Sequence, residues 1–136
     1  MGSRRKAREA AVQMLYQMDA TGIDAAEAVE LFWRHLGVDV EHDAFADQLV
    51  LGFGRERDAI DEKIRAVSKH WRLERMARVD RNIIRLGAYE LLHVVDIPRR
   101  VTLNEAVELA KRFGNEESPA FVNGVLDRIA DDVAKP

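Results

Sequence analysis

The stretch VTLNEAVELAKRFG over Val101–Gly114, followed after a short break by SPAFVNGVLD over Ser118–Asp127, decides the fold class. Thr102 and Glu105 have the spacing of a capping box, in which the hydroxyl oxygen and the carboxylate each accept a hydrogen bond from an otherwise orphaned backbone N–H. A helix is therefore expected from about Leu103. Leu103, Ala106, Val107, Leu109, Ala110 and Phe113 recur at helical spacing, and Gly114 stands where a left-handed C-terminal residue is wanted. Ser118 then offers an N-cap, with Pro119 at a first helical position that needs no N–H, for a second helix running to about Val133.

Two features of that second helix exceed what a helical hairpin requires. At about 100° per residue, Val122, Val125, Leu126, Ile129 and Val133 share one face, while Phe121 falls roughly 90° from its centre. Gly124 inside a helix costs about 0.8–1.0 kcal/mol relative to alanine, which suggests close approach of a backbone, a neighbouring helix or a ligand. The geometry leaves two readings open. Either Phe121 caps the core and Gly124 permits a tight helix crossing, or both serve an external ligand.

Working outward, the rest of the chain is helical as well. Helical periodicity places segments near residues 3–19, 24–36, 43–68, 79–95, 102–113 and 119–134, with a short turn at 73–77, and no stretch alternates as a strand would. Pro98 and Pro119 fall at breaks between helices. The expected fold is all-α, with six to seven helices in two packed subbundles, roughly 1–70 and 71–136, forming a single domain over 1–136.

Composition supports an ordinary globular protein, 47% hydrophobic and 33% charged over 136 residues. No run approaches the roughly 18 uncharged apolar residues of a membrane span, and the basic N-terminus leads into a charged helix in place of an apolar signal core. A cytoplasmic, non-membrane protein is expected. The absence of cysteine agrees with a reducing compartment and removes thiolate metal sites and cysteine nucleophiles. The net charge of −3 is unevenly spread: residues 1–18 carry +3, residues 19–70 carry −6, and residues 71–100 again carry +3. A nucleic-acid footprint would therefore combine the first helix with the 71–100 region.

Several positions on these segments are candidates for contact. Arg4, Arg5, Lys6 and Arg8 form a basic cluster suited to phosphates, although cations at a helix N-terminus oppose the macrodipole. Tyr16 projects from the first helix opposite the apolar stripe of Ala7, Ala10, Ala11, Met14, Leu15 and Met18. Arg81, Arg85, Tyr89 and His93 share a strip at four-residue steps, which fits single-stranded RNA recognition and equally an ordinary solvated face. Asp80 reads as an N-cap. Glu90 points to the apolar side and is expected to be buried and hydrogen-bonded. His35, His42, His70 and His93 lie in different segments, and neither a phosphate-binding glycine loop nor a nucleophile elbow is present. No cofactor, metal or catalytic residue is assigned.

The runs Asn104–Gly114 and Phe121–Leu126, with Arg4–Glu9, Gln13–Tyr16, Val79–Arg85, Tyr89–Leu91 and Asp96–Pro98 in order and spacing, resemble the bacterial transcription antitermination factor NusB family. Thr102, Leu103 and Asp80 are conservative departures, and residues 21–40 match nothing diagnostic. The resemblance implies a non-enzymatic factor that pairs with NusE, a small-subunit ribosomal protein, and holds boxA RNA of nascent transcripts, notably of ribosomal RNA operons, in an antitermination complex on RNA polymerase. It implies RNA contact at Arg4, Arg5, Lys6, Arg8, Arg81, Arg85, Glu117, Phe121 and Asn123, and partner contact at Tyr16 and Asp80. The outer face of the first helix could also serve a homodimer when NusE is absent. A rival is the helical N-terminal region of the ribosomal RNA methyltransferase RsmB. The chain reaches Pro136 without the cysteine nucleophile or cofactor segment that such an enzyme needs.

Overall fold

A computed structural model describes residues 2–37 and 41–136. Among them are six α-helices and no strand: α1 (Gly2–Thr21), α2 (Ala25–Leu36), α3 (Ala44–Val67), α4 (Arg78–His93), α5 (Arg99–Phe113) and α6 (Ser118–Asp132), with a 3₁₀ turn at Leu73–Arg75 before α4. Local chemistry sets several boundaries. Asp24 and Asp43 accept hydrogen bonds from the N–H groups of Glu27 (2.9 Å) and Ala46 (3.0 Å), capping α2 and α3. Gly22 closes α1 at φ 81°, a left-handed conformation natural to glycine.

Helices α1, α2 and α3 pack on one another, as do α4, α5 and α6, and α4 joins the groups by packing also against α1 and α3. Helix α4 is consequently buried nearly all round between Asn82 and Leu91. The α4–α6 crossing is close at Gly87, where a Cβ would come within 2.6 Å of a Leu126 methyl. At Gly52 of α3 a Cβ would overlap the Tyr89 hydroxyl.

Several sequence expectations are corrected here. Helix α5 starts three residues before Thr102, so Thr102 and Glu105 do not form a capping box. The Arg99 N–H instead donates to the Pro136 carbonyl at 2.8 Å, and the N–H groups of Val101 and Thr102 turn back to the Pro98 carbonyl. Gly114 is extended (φ −99°, ψ −165°), not left-handed; a side chain there would overlap Ser118. Ser118 is the first residue of α6 instead of its cap. Asp80 lies in the first turn of α4, whose N-cap is Ala77, and there it favours the positive end of the helix dipole. Helix α4 ends at His93, short of the expected residue 95, and Val95 is exposed. The close helix approach offered for Gly124 occurs at Gly87; Gly124 is exposed and a Cβ there would meet no protein atom within 4 Å.

Candidate nucleic-acid interface

The basic residues of α1 divide by burial. Arg4, Arg5 and Lys6 are exposed, whereas Arg8 is 4% exposed and turned inward. Its Nε and Nη2 donate to the Glu90 carboxylate at 2.7 and 2.9 Å, and the Thr102 hydroxyl donates to the same group at 3.0 Å. Glu90 is thus a buried, satisfied carboxylate, as its apolar placement suggested, and Arg8 is committed to it. Arg5 forks onto Glu105 at 3.0 and 2.8 Å. The hydrogen bond from Arg5 holds the Glu105 carboxyl below its ordinary value and raises Arg5 in turn. This pair is half open to solvent, so its net contribution is small and an incoming phosphate can compete for the guanidinium. Arg4 lies 4.3 Å over the Phe45 ring, a cation–π contact that steadies it without neutralising its charge.

The expected strip on α4 is mostly buried. Arg85 is held by Asp61 through Nε (2.9 Å) and Nη2 (3.0 Å) and reaches Asn82. Arg81 donates to Asp19 at 2.8 Å and to the Leu73 and Glu74 carbonyls, fastening the 3₁₀ turn to α1 and α4. Burial pushes the Asp19 carboxyl up, but hydrogen bonds from Arg81 and Asn82 and the charges of Arg81 and Arg85 outweigh it, leaving Asp19 below the ordinary carboxylate value. Tyr89 is buried against α3, its ring stacked on His93 at 5.1 Å. The strip therefore organises the protein interior and offers little to an external strand. Periodicity could not show this, because α4 is surrounded on all sides and its charges are matched by residues distant in sequence.

Glu117 and Asn123 are exposed and Phe121 is half-buried. Their turn is ordered by Asn115, whose Oδ1 accepts from the N–H groups of Glu117 (2.9 Å) and Ser118 (3.2 Å), while the Ser118 Oγ accepts from the Asn115 N–H. Phe121 meets Trp71 edge to face at 5.9 Å. The two aromatics line a recess of about 850 Å³ with Lys69, His70, Arg72, Arg75, Asp80 and Glu117 among its other walls. The Lys69–Arg75 segment was not singled out from sequence. Its available signal is a tryptophan bracketed by four basic residues, at a position outside any helical stripe.

Tyr16 faces a different surface. It is exposed beneath the Arg78 guanidinium (5.8 Å) and lines a groove of about 860 Å³ between α1 and α2, with Val12, Leu31, Phe32, Leu36 and Phe113. Leu31 and Leu36 are large exposed apolar residues, which suits a protein partner. Asp80, which the resemblance implies as a partner contact along with Tyr16, lines the aromatic recess and not this groove. Among the described residues no three histidine or carboxylate side chains converge as metal ligands would, and no helix is long and apolar enough to cross a membrane.

This arrangement, an aromatic and cationic recess on one surface and an apolar groove on another, is carried on a fold with known counterparts. The chain is 56% identical to a Sorangium cellulosum transcription antitermination protein NusB, with 99% of this chain and 96% of that protein covered. It is 51% identical to the Myxococcus xanthus protein of the same description, over the full length of both. Thermotoga maritima NusB superposes with a TM-score of 0.85 at 38% identity, over 95% of this chain and 91% of that one. A structure of the antitermination factors NusB and NusE in complex with dsRNA also gives 0.85, at 29% identity and with 97% and 98% covered. Residues 5–131 match the NusB family, and the chain belongs to it.

Proposed function

We propose that this chain is a transcription antitermination factor that binds boxA RNA of nascent transcripts together with NusE, supporting processive transcription by RNA polymerase. The supporting observation is its likeness, over nearly its whole length, to a NusB caught with NusE and RNA. The exposed Arg4, Arg5 and Lys6 would meet phosphates, and Phe121, with Glu117 and Asn123 beside it, would meet bases and riboses at the recess. Arg8, Arg81 and Arg85 would act indirectly by holding the helices that carry these contacts. Tyr16 and the groove around it would receive NusE, or a second copy of the chain when NusE is absent. The mechanism is assembly in the cytoplasm, without turnover or cofactor. The reading as an N-terminal region of a methyltransferase is favoured by no feature described above.

A chain of net charge −3 that presents only a weakly basic patch binds RNA weakly alone, and a basic partner extends the site. Fluorescence anisotropy of labelled boxA RNA should show affinity rising at least tenfold, about 1.4 kcal/mol, when NusE is added, with no such gain for a scrambled RNA. Equal binding with and without NusE would refute the joint site. Phe121→Ala should weaken RNA binding while changing unfolding free energy by about 1 kcal/mol; unfolding of the variant would make Phe121 a core residue instead.

A further inference from the structure

Thr102 and Glu105, whose spacing suggested a cap for α5, are put to another use. Thr102 completes the buried site of Arg8 through Glu90, and Glu105, about one turn further along α5, takes Arg5, about one turn earlier on α1. The two arginine sites differ in depth. Arg8 and Glu90 are both buried, whereas the Arg5 side chain is 50% exposed over a Glu105 that is 18% exposed. The first pair is closed to any ligand. The second keeps its cation in solvent and its carboxylate recessed.

That arrangement repeats along the seam between α1 and α5. Arg112 lies 3.6 Å from Glu9, and Lys111 lies 3.4 Å from Glu108. The cations Arg5, Lys111 and Arg112 are exposed, while the carboxylates Glu9, Glu105 and Glu108 are half-buried. All but Glu105 line a recess of about 280 Å³ at the seam. The Arg5 guanidinium, held above its ordinary value chiefly by its hydrogen bond with Glu105, is raised further by the charges of Glu108 and Glu9. The seam is therefore neutral although its outermost groups are positive.

We propose that Glu105 limits the RNA affinity of this chain by acting through Arg5, as a recessed carboxylate that stands in the place of an RNA phosphate. Glu105 takes the guanidinium edge formed by Nε and Nη2. A phosphate reaching Arg5 either displaces the carboxylate or sits beside it, and in both cases the carboxylate opposes it. The inference rests on the RNA-binding reading above and adds to it a residue that sets the strength of binding without touching RNA. It accounts for a basic cluster that is placed to meet phosphates yet is partly neutralised in advance.

The test titrates labelled boxA RNA at saturating NusE, over a series of salt concentrations, into wild-type, Glu105→Gln, Arg5→Gln, Arg5→Gln/Glu105→Gln and Asp58→Asn proteins, with folding of each checked by circular dichroism. Asp58→Asn makes the same change of charge at an exposed position of α3, outside the seam. Glu105→Gln should bind about two- to fivefold tighter than wild type, the range spanned by an exposed ion pair. Its plot of log affinity against log salt should steepen by about 0.7, the value for one further phosphate neutralised on a single strand. Asp58→Asn should change affinity by less than about 1.5-fold at physiological salt, where a distant surface charge is screened. In the Arg5→Gln background Glu105→Gln should give no gain beyond that of Asp58→Asn. Equal or weaker binding by Glu105→Gln would overturn the proposal and make Glu105 a residue that orients Arg5 for RNA. A gain matched by Asp58→Asn, or one that persists without Arg5, would overturn it as well. Failure of the wild-type protein with NusE to bind any boxA RNA would instead overturn the RNA-binding reading and this inference with it.

Discussion

Replacing Arg8 by methionine separates a structural from an RNA-binding role for the cation at the heart of the basic cluster. In the folded protein Glu90 is 1% exposed and receives two hydrogen bonds from Arg8 and one from Thr102. Arg8→Met preserves much of the side-chain volume but leaves the carboxylate buried with Thr102 alone. Removing one partner of a buried pair costs about 3–5 kcal/mol. With a urea dependence of about 1–3 kcal/mol per molar, the midpoint should fall by at least about 1 M. Adding Glu90→Gln removes the stranded charge while keeping an acceptor for Thr102, so the double variant should recover most of the loss, with a coupling energy of about 2 kcal/mol or more. Urea unfolding followed by circular dichroism at 222 nm, with the slope checked for constancy, measures all four corners of the cycle. Under conditions where each variant is folded, boxA affinity in the presence of NusE should be unchanged. A loss of stability below about 1 kcal/mol together with weakened RNA binding would refute the inward assignment of Arg8.

Other perturbations report on separate features. Gly52→Ala should destabilise by about 1–3 kcal/mol, since its methyl collides with Tyr89, whereas Gly124→Ala should stabilise by about 0.8–1.0 kcal/mol, since its methyl meets nothing; thermal unfolding of both variants checks the contrast. Asp19 has a folded pKa below its unfolded value, so its stabilising contribution is complete above the ordinary carboxylate range and is lost as pH falls through it. Asp19→Asn should therefore be less stable than wild type at pH 7, with the gap closing below about pH 4; an equal gap at both would exclude that linkage. Tyr16→Asp, on an exposed position of the α1–α2 groove, should leave the melting temperature nearly unchanged and weaken NusE binding by calorimetry.

Helical class, element order and the apolar stripe of α1 were legible in sequence because each depends on residues within a few turns of one another. Ala7, Ala10, Ala11, Met14, Leu15 and Met18 are all buried as their spacing predicts. The start of α5 was not legible, because the C-terminal carbonyl that receives the Arg99 N–H is 37 positions away. The strip on α4 was misread for the same reason. Arg85 looks like a solvated cation until Asp61 and Asp19 are brought against it. Phe121 stood out in sequence at the edge of its helix face, but its companion Trp71 was missed, since their contact spans 50 positions. Glycine punctuation gave mixed guidance: Gly87 carries the close crossing that Gly124 was expected to provide, and a lone residue type cannot reveal which of two helices approaches.

The charges buried between the two halves of the chain constrain how it can come apart. Arg8 meets Glu90, Arg81 meets Asp19, and Arg85 meets Asp61, each pair bridging the boundary near residue 70. Were either group of helices to open alone, ions would be stranded in an apolar interior or drawn into water with the core they cover. Such half-open states lie well above both end states in free energy, so unfolding should be concerted across the chain. The RNA-facing recess and the partner groove then belong to one cooperative unit, and a change that loosens one surface lowers the folded population available to the other.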